Sequence, residues 1–288
     1  MRFLRKIKEP HIRKRIVYER LTEPLHLNAL SIFVALFGSY RLRVAFDLVL
    51  RHHNAFAILK AADYAKALGL RRLKIVEFGV AGGVGLINMC FIARRVSDLT
   101  GVTIEVIGFD TGQGMPLATG FRDHPDLYGQ GDFPMDVEAL RNKLPANGEL
   151  IIGDVASTVP EFVASRLQPD CPIGYVAIDV DYYSSTVPAL RLFGGDPQCY
   201  LPITLIYLDD IELDPHNPFA GELLAVTEFN ERNPFRKFCR PDFLENQRLF
   251  RAAVWIKHIF YLHVMDHPVR SNVVEASNTR VMRNPYLA

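Results

Sequence analysis

From about residue 55 the chain alternates short, continuous apolar runs with stretches of helical periodicity. "RRLKIVEFG" predicts a strand and "GLINMCFIARRVSDL" a helix. "TIEVIGFD" predicts a second strand, followed by a polar, Gly/Pro-rich loop over 111–134 and a helix in "MDVEALRNKL". "GELIIGD" with the helix "TVPEFVASRL", and "IGYVAIDVD" with the helix "SSTVPALRLF", repeat the pairing. "ITLIYLDD" predicts a fifth strand ahead of a helix in "FAGELLAVTEFNER", and "AAVWIKHIFYLHVMD" one or two more strands. Strands that alternate with helices form βαβ units in a parallel sheet. Continuous rather than alternating apolar strands are those covered on both faces. The predicted fold is therefore α/β, a doubly wound and mostly parallel sheet.

The first 60 residues read differently, as a helical extension (1–60) ahead of the α/β domain (61–288). Residues 1–20 carry eight Lys/Arg against two Glu. Behind them, Ala29 to Gly38 has only Ser31 as a polar residue. That run is too short to cross a bilayer, which takes ~20 apolar residues. No small-residue cleavage pattern follows a clean apolar core, so a signal peptide is not expected. The pattern predicts packing on the domain or on a second copy of the chain, with peripheral membrane attachment as the lesser alternative.

Composition changes this picture little. A chain that is 49% hydrophobic and 23% charged has an ordinary core. A net charge of +1 gives no case for a nucleic-acid partner. Cys90, Cys171, Cys199 and Cys239 have no metal-binding spacing and are expected to be reduced thiols of a cytoplasmic protein.

The candidate chemistry lies where the strands end. Open parallel sheets bind ligands beyond the carboxyl ends of their strands. The five strands carry Glu77, Asp110, Asp154, Asp179 and Asp209 at or near those ends. A single aspartate there caps helices or turns, but the set suggests a site. "EFGVAGGVG" (77–85) joins a strand to a helix through glycines that let backbone N–H groups approach a ligand. Its spacing is not G-x-G-x-x-G, and no G-x-x-x-x-G-K-[ST] occurs, so dinucleotide and P-loop sites are unsupported.

Taken in order, "EFGVAGG", "GFDTGQGMP", "IDVDYYSST" and "LDD" resemble class I S-adenosylmethionine-dependent methyltransferases over residues 70–265. Within these, they resemble the metal-dependent sugar O-methyltransferases of the macrocin (TylF-like) type. The chain departs from that pattern at Val180, where Gly is usual, and at Gly112-Gln113. The resemblance implies a Rossmann-like fold and cofactor contacts by Glu77, Gly79 and Gly83. It places Asp110 on the ribose hydroxyls and Asp154 beside the adenine; Asp179, facing the site from its strand end, is expected in a cofactor or supporting role. It implies Mg²⁺, or another divalent cation, on Asp181, Asp209 and Asp210. A carboxylate accepts both hydrogen bonds of a diol, and clustered hard oxygen donors suit Mg²⁺ or Ca²⁺. Asp181 and His124 are the candidate bases, with an ordinary loop histidine as the plainer account of His124. The implied reaction is O-methylation of a small, sugar-bearing acceptor, and the N-terminal extension predicts a homo-oligomer. The alternative is a hydroxylase-associated or non-catalytic protein that keeps the cofactor pocket. Ser184, Ser185 and Thr186 are expected to cap the following helix. His258, His263 and His267 are expected to be structural, and His52-His53 to mark a helix start.

Overall fold

The computed structural model describes residues 10–212 and 215–271. The extreme N-terminal part of the basic stretch and the segment 272–288 lie outside the described residues. In chain order the elements are α1 (Pro10–Thr22), α2 (Leu25–Phe37), α3 (Tyr40–Ala45), α4 (His52–Ala67), β1 (Arg72–Phe78), α5 (Val84–Thr100), β2 (Thr103–Asp110) and α6 (Val137–Lys143). They continue with β3 (Gly148–Ile152), α7 (Val155–Arg166), β4 (Ile173–Ile178), α8 (Tyr183–Ala189), β5 (Tyr200–Leu208) and α9 (Gly221–Arg232). The described chain closes with β6 (Arg236–Cys239), α10 (Leu244–Gln247), β7 (Ile259–Val264) and α11 (Pro268–Ser271).

The strands form one seven-stranded sheet in the order β3-β2-β1-β4-β5-β7-β6. The first five run parallel, and β7 pairs antiparallel with both β5 and β6. This is the doubly wound, mostly parallel sheet the apolar runs predict, and it is Rossmann-like as the resemblance implies. The chain order reverses between β1 and β4, the crevice where such sheets bind ligands. β6 lies in a stretch with no strand prediction. Its four residues, "RKFC", are too short and too polar to signal one.

Two cores flank the sheet. Ile75, Tyr175, Ala177 and Tyr207 point to the face covered by α4 and α5. Phe78, Val176, Ile178 and Leu208 point to the face covered by α7, α8 and α9. Helix α4 runs across residue 60, and Ala55, Ala57, Ile58, Ala61 and Ala62 are fully buried in it, so extension and domain share this helix. The extension is also clamped to the C-terminal region. Arg20 lies 3.6 Å from the Phe250 ring centroid. The buried Arg248 guanidinium pairs with Asp47 at 2.6 Å. No helix among the described residues is long and apolar enough to cross a membrane.

Candidate functional site

Strand register builds the site. Glu77 pairs with Gly108 and Ala177, and Ala177 pairs with Tyr207. The ladder runs on beyond the strands: Gly79 donates to Phe109, Gly153 to Asp110, Asp179 to Phe78 and Asp209 to Ile178, all at 2.9–3.0 Å. Side chains alternate faces along a strand. Glu77, Asp110, Asp179 and Asp209 therefore share one face and one edge of the sheet.

The turn after β1 admits almost no side chain. Gly79 has φ +82°, and a Cβ there would lie 1.6 Å from the Asp179 carbonyl oxygen. The Asp110 carboxylate ties the turn down. Its Oδ2 accepts from Val80 N (2.8 Å) and Ala81 N (2.9 Å), and its Oδ1 from Gly112 N (2.7 Å). Those bonds hold Ala81, a residue with a Cβ, at φ +47°. Gly83, also left-handed at φ +80°, faces Leu140. Glu77 sits beneath the first turn of α5, where a Cβ on Gly85 would approach its Oε1 to 2.2 Å. Its Oε2 is buried without a hydrogen-bond partner. Burial pushes the Glu77 carboxyl up to about 8, against the pull of Arg51 and with the repulsion of Asp110 and Asp209.

The second half of the site gathers acids from β4, β5 and α9. Carboxylate oxygens of Asp179, Asp181 and Asp210 lie within 4.8 Å of one another. Asp181 is left-handed at φ +57°, and its N–H donates to Asp210 Oδ2 at 3.1 Å. Asp210 N donates to Glu222 Oε2 at 3.3 Å, and the fully buried Glu222 has no partner on Oε1. Burial first, then mutual repulsion, holds the carboxyls of Asp179, Asp210 and Glu222 well above the usual range. Burial raises Asp181 too, against hydrogen bonds from Tyr128 and Asp210. Asp209 stands beside this group rather than in it. It is exposed, and its Oδ1 accepts from the Tyr207 hydroxyl at 2.8 Å.

The long loop closes on the acids from above. Tyr128 donates its hydroxyl to Asp210 Oδ1 at 3.3 Å, and Tyr182 donates to Tyr128 O at 3.1 Å. Asp123, fully buried, accepts from Thr119 N (2.7 Å), Thr119 Oγ1 (2.6 Å) and Ser184 N (2.7 Å). The expected cap of α8 by Ser184, Ser185 and Thr186 is thus corrected. Tyr182 holds the cap position without a side-chain bond, and the acceptor comes from Asp123, 61 residues away. His124 is no surface histidine. It is 5% exposed at φ +49°, beside Gly221, where a Cβ would lie 2.9 Å from its Nε2. Its ring lies 5.3 Å from that of His216, edge to face. Asp154 is exposed and caps α7, accepting from Ala156 N at 2.8 Å. The helix accordingly starts at Val155, ahead of the expected "TVPEF" start.

Sequence reasoning missed Glu222, Tyr128, Asp123 and Arg51. Glu222 carried a signal, an acid in the first helical turn after the fifth strand, but the helix dipole explains such an acid equally well. Tyr128 and Asp123 carried none, because only the loop's path brings them to the strand ends. His52 does open α4, and His53 stacks on Tyr207 with ring centroids 4.3 Å apart. His258 is buried between Leu208 O (2.7 Å) and Glu212 Oε2 (3.1 Å).

No protein-family model matches the chain, and no curated protein matches it. Among solved structures, the chain is similar to the calicheamicin methyltransferase CalS11, at 18% identity and TM-score 0.46, over 72% of this chain and 82% of that one. It is also similar to the plantazolicin methyltransferase BpumL in complex with SAH, at 13% identity and TM-score 0.35, over 82% of this chain and 96% of that one.

Proposed function

We propose that the chain is an S-adenosylmethionine-dependent O-methyltransferase, assisted by a divalent cation, that acts on a hydroxyl of a sugar-containing small molecule. One observation carries the reading. A glycine turn clamped by a strand-end aspartate adjoins a partly buried triad of carboxylates whose oxygens lie within 4.8 Å of one another. The turn suits a cofactor that approaches backbone, and Asp110, with three of its roughly four lone-pair sites taken by N–H donors, keeps one on Oδ1 for a ribose hydroxyl. The buried, unpartnered Oε2 of Glu77 fits the ammonium end of the same cofactor.

The residues also fit a cation. Three carboxyls raised by burial and repulsion, next to the unpartnered Glu222 Oε1, form a set that a divalent ion would return to the charged state. Asp181 and Asp210 would hold it, with a third oxygen from Asp179 or Asp209. When bound, such an ion lowers the pKa of an alcohol and fixes its direction.

The chain's own residues then position and deprotonate. Asp181 would take the proton of the acceptor hydroxyl as the oxygen–methyl bond forms and the methyl–sulfur bond breaks; His124 is the alternative base. The loop residues from Asp123 to Tyr128 would exclude water above the strand ends. The vicinal hydroxyls of a sugar would suit a divalent ion held by these carboxylates, because such ions take oxygen donors.

Calorimetric titration of EDTA-treated protein with S-adenosylhomocysteine, alone and with Mg²⁺, tests the reading. Micromolar binding that Asp110→Ala abolishes supports the cofactor. Mg²⁺ heat that Asp210→Ala abolishes supports the cation. A folded protein that binds neither sinks the proposal.

A further inference from the structure

Helix α2 is apolar on both faces: Val34 and Leu27 pack inward against Phe46 and Phe250. Its two polar inward residues, Asn28 and Ser31, face α1: Asn28 Nδ2 donates to Arg20 O (2.7 Å), and Arg20 Nη1 donates to Ser31 Oγ (3.2 Å). A second set of apolar residues faces outward. Leu25, Ala29, Ile32, Phe33, Leu36 and Phe37 follow at spacings of four, three, one, three and one. At ~100° per residue this is a single stripe on one face. Leu25 is 78% exposed, Phe33 61%, Leu36 65% and Phe37 73%, with His26 at the stripe's rim. An ordinary surface helix keeps its outer face polar.

We infer that this stripe is the contact by which two copies of the chain associate, α2 against α2, across a twofold axis. The area fits. Leu25, Ile32, Phe33, Leu36 and Phe37 together expose roughly 700 Å², close to the ~800 Å² per partner of a standard interface. The pattern fits as well. Apolar residues repeating at three and four are what antiparallel helices interleave, and a twofold contact requires a patch complementary to itself. No charged residue lies on α2, so a second copy meets no like charge on the stripe. The same fact disfavours a lipid surface. A helix lying in a membrane interface carries Lys and Arg on its polar face. The polar face of α2 is Asn28 and Ser31, and both are engaged by Arg20.

The contact also reaches toward the strand ends. Through α3 it leads into α4, whose His53 stacks on Tyr207, the residue bonded to Asp209.

Sedimentation equilibrium of the full chain tests the inference, with a Phe33→Glu/Leu36→Glu double variant and a milder Phe37→Lys variant alongside. The expected result is a wild-type dimer at micromolar concentration. The dissociation constant should rise at least a hundredfold in the double variant and severalfold in Phe37→Lys, with unchanged circular dichroism. Both targets are exposed, so the fold should persist; if the double variant fails to fold, Phe37→Lys decides alone. A monomeric wild type overturns the inference, whether or not it floats with phosphatidylserine vesicles. So does a dimer that survives the substitutions.

Discussion

Replacing Glu77 with Gln should flatten the pH dependence of stability of the EDTA-treated, cofactor-free protein. The carboxyl is 4% exposed and its Oε2 has no partner. It titrates at about 8 in the fold, against 4.5 when unfolded. Between those values the folded chain keeps a proton that the unfolded chain has released. Stability contributed by that proton is complete below 4.5, falls as pH rises, and is gone above about 8. The slope is up to ~1.4 kcal/mol per pH unit, and the whole span amounts to about 5 kcal/mol.

Urea unfolding at about pH 5.5 and about pH 7.5 reads this directly, because wild type should lose ~3 kcal/mol more than Glu77→Gln between them. Asp179, Asp210 and Glu222 are displaced in the same direction and steepen both curves, so the difference between the proteins reads Glu77 together with its repulsion of Asp179. Gln keeps the shape of the side chain. Parallel curves would refute the reasoning, since they would mean that Glu77 titrates near its free value and is either hydrated or paired. The same variant should bind S-adenosylhomocysteine more weakly, which would place the stability cost of the wild-type acid in the service of the site.

Other expectations follow from single contacts. Gly79→Ala would drive a methyl group into the Asp179 carbonyl at a left-handed position. It should cost more than ~3 kcal/mol in urea unfolding, and a near-neutral result would contradict the turn geometry. Asp123→Ala removes three hydrogen bonds from a buried acceptor and uncaps α8. A loss of ~2–4 kcal/mol is expected in a thermal melt, with Asn recovering part of it. Tyr128→Phe frees Asp210 Oδ1 from its donor. Mg²⁺ affinity should rise severalfold by calorimetry, whereas lost binding would make the phenol a ligand.

The sheet was legible because buried parallel strands write themselves as continuous apolar runs. "TIEVIGFD" predicts β2 to the residue. "RKFC" could not, since β6 is an edge strand held by pairing with β7 rather than by its own pattern. The acids of the site divide in the same way. Asp110, Asp179 and Asp209 were legible because strand ends are marked in sequence and register aligns them. What each carboxylate does there was not, because that depends on partners distant in the chain. Asp110 clamps a turn 30 residues upstream, and Asp210 meets Tyr128 from 82 residues before it. Asp123 shows the limit most sharply. The hydroxyl cluster "SST" carries the local pattern of a helix cap, and local propensity predicts that it acts as one. The fold supplies a stronger acceptor, a carboxylate buried on the far loop, and Ser184 becomes the donor instead of the cap. That exchange fastens the loop bearing His124 and Tyr128 onto α8. The helix cap that sequence assigned to a local hydroxyl is therefore a long-range bond that closes the candidate site.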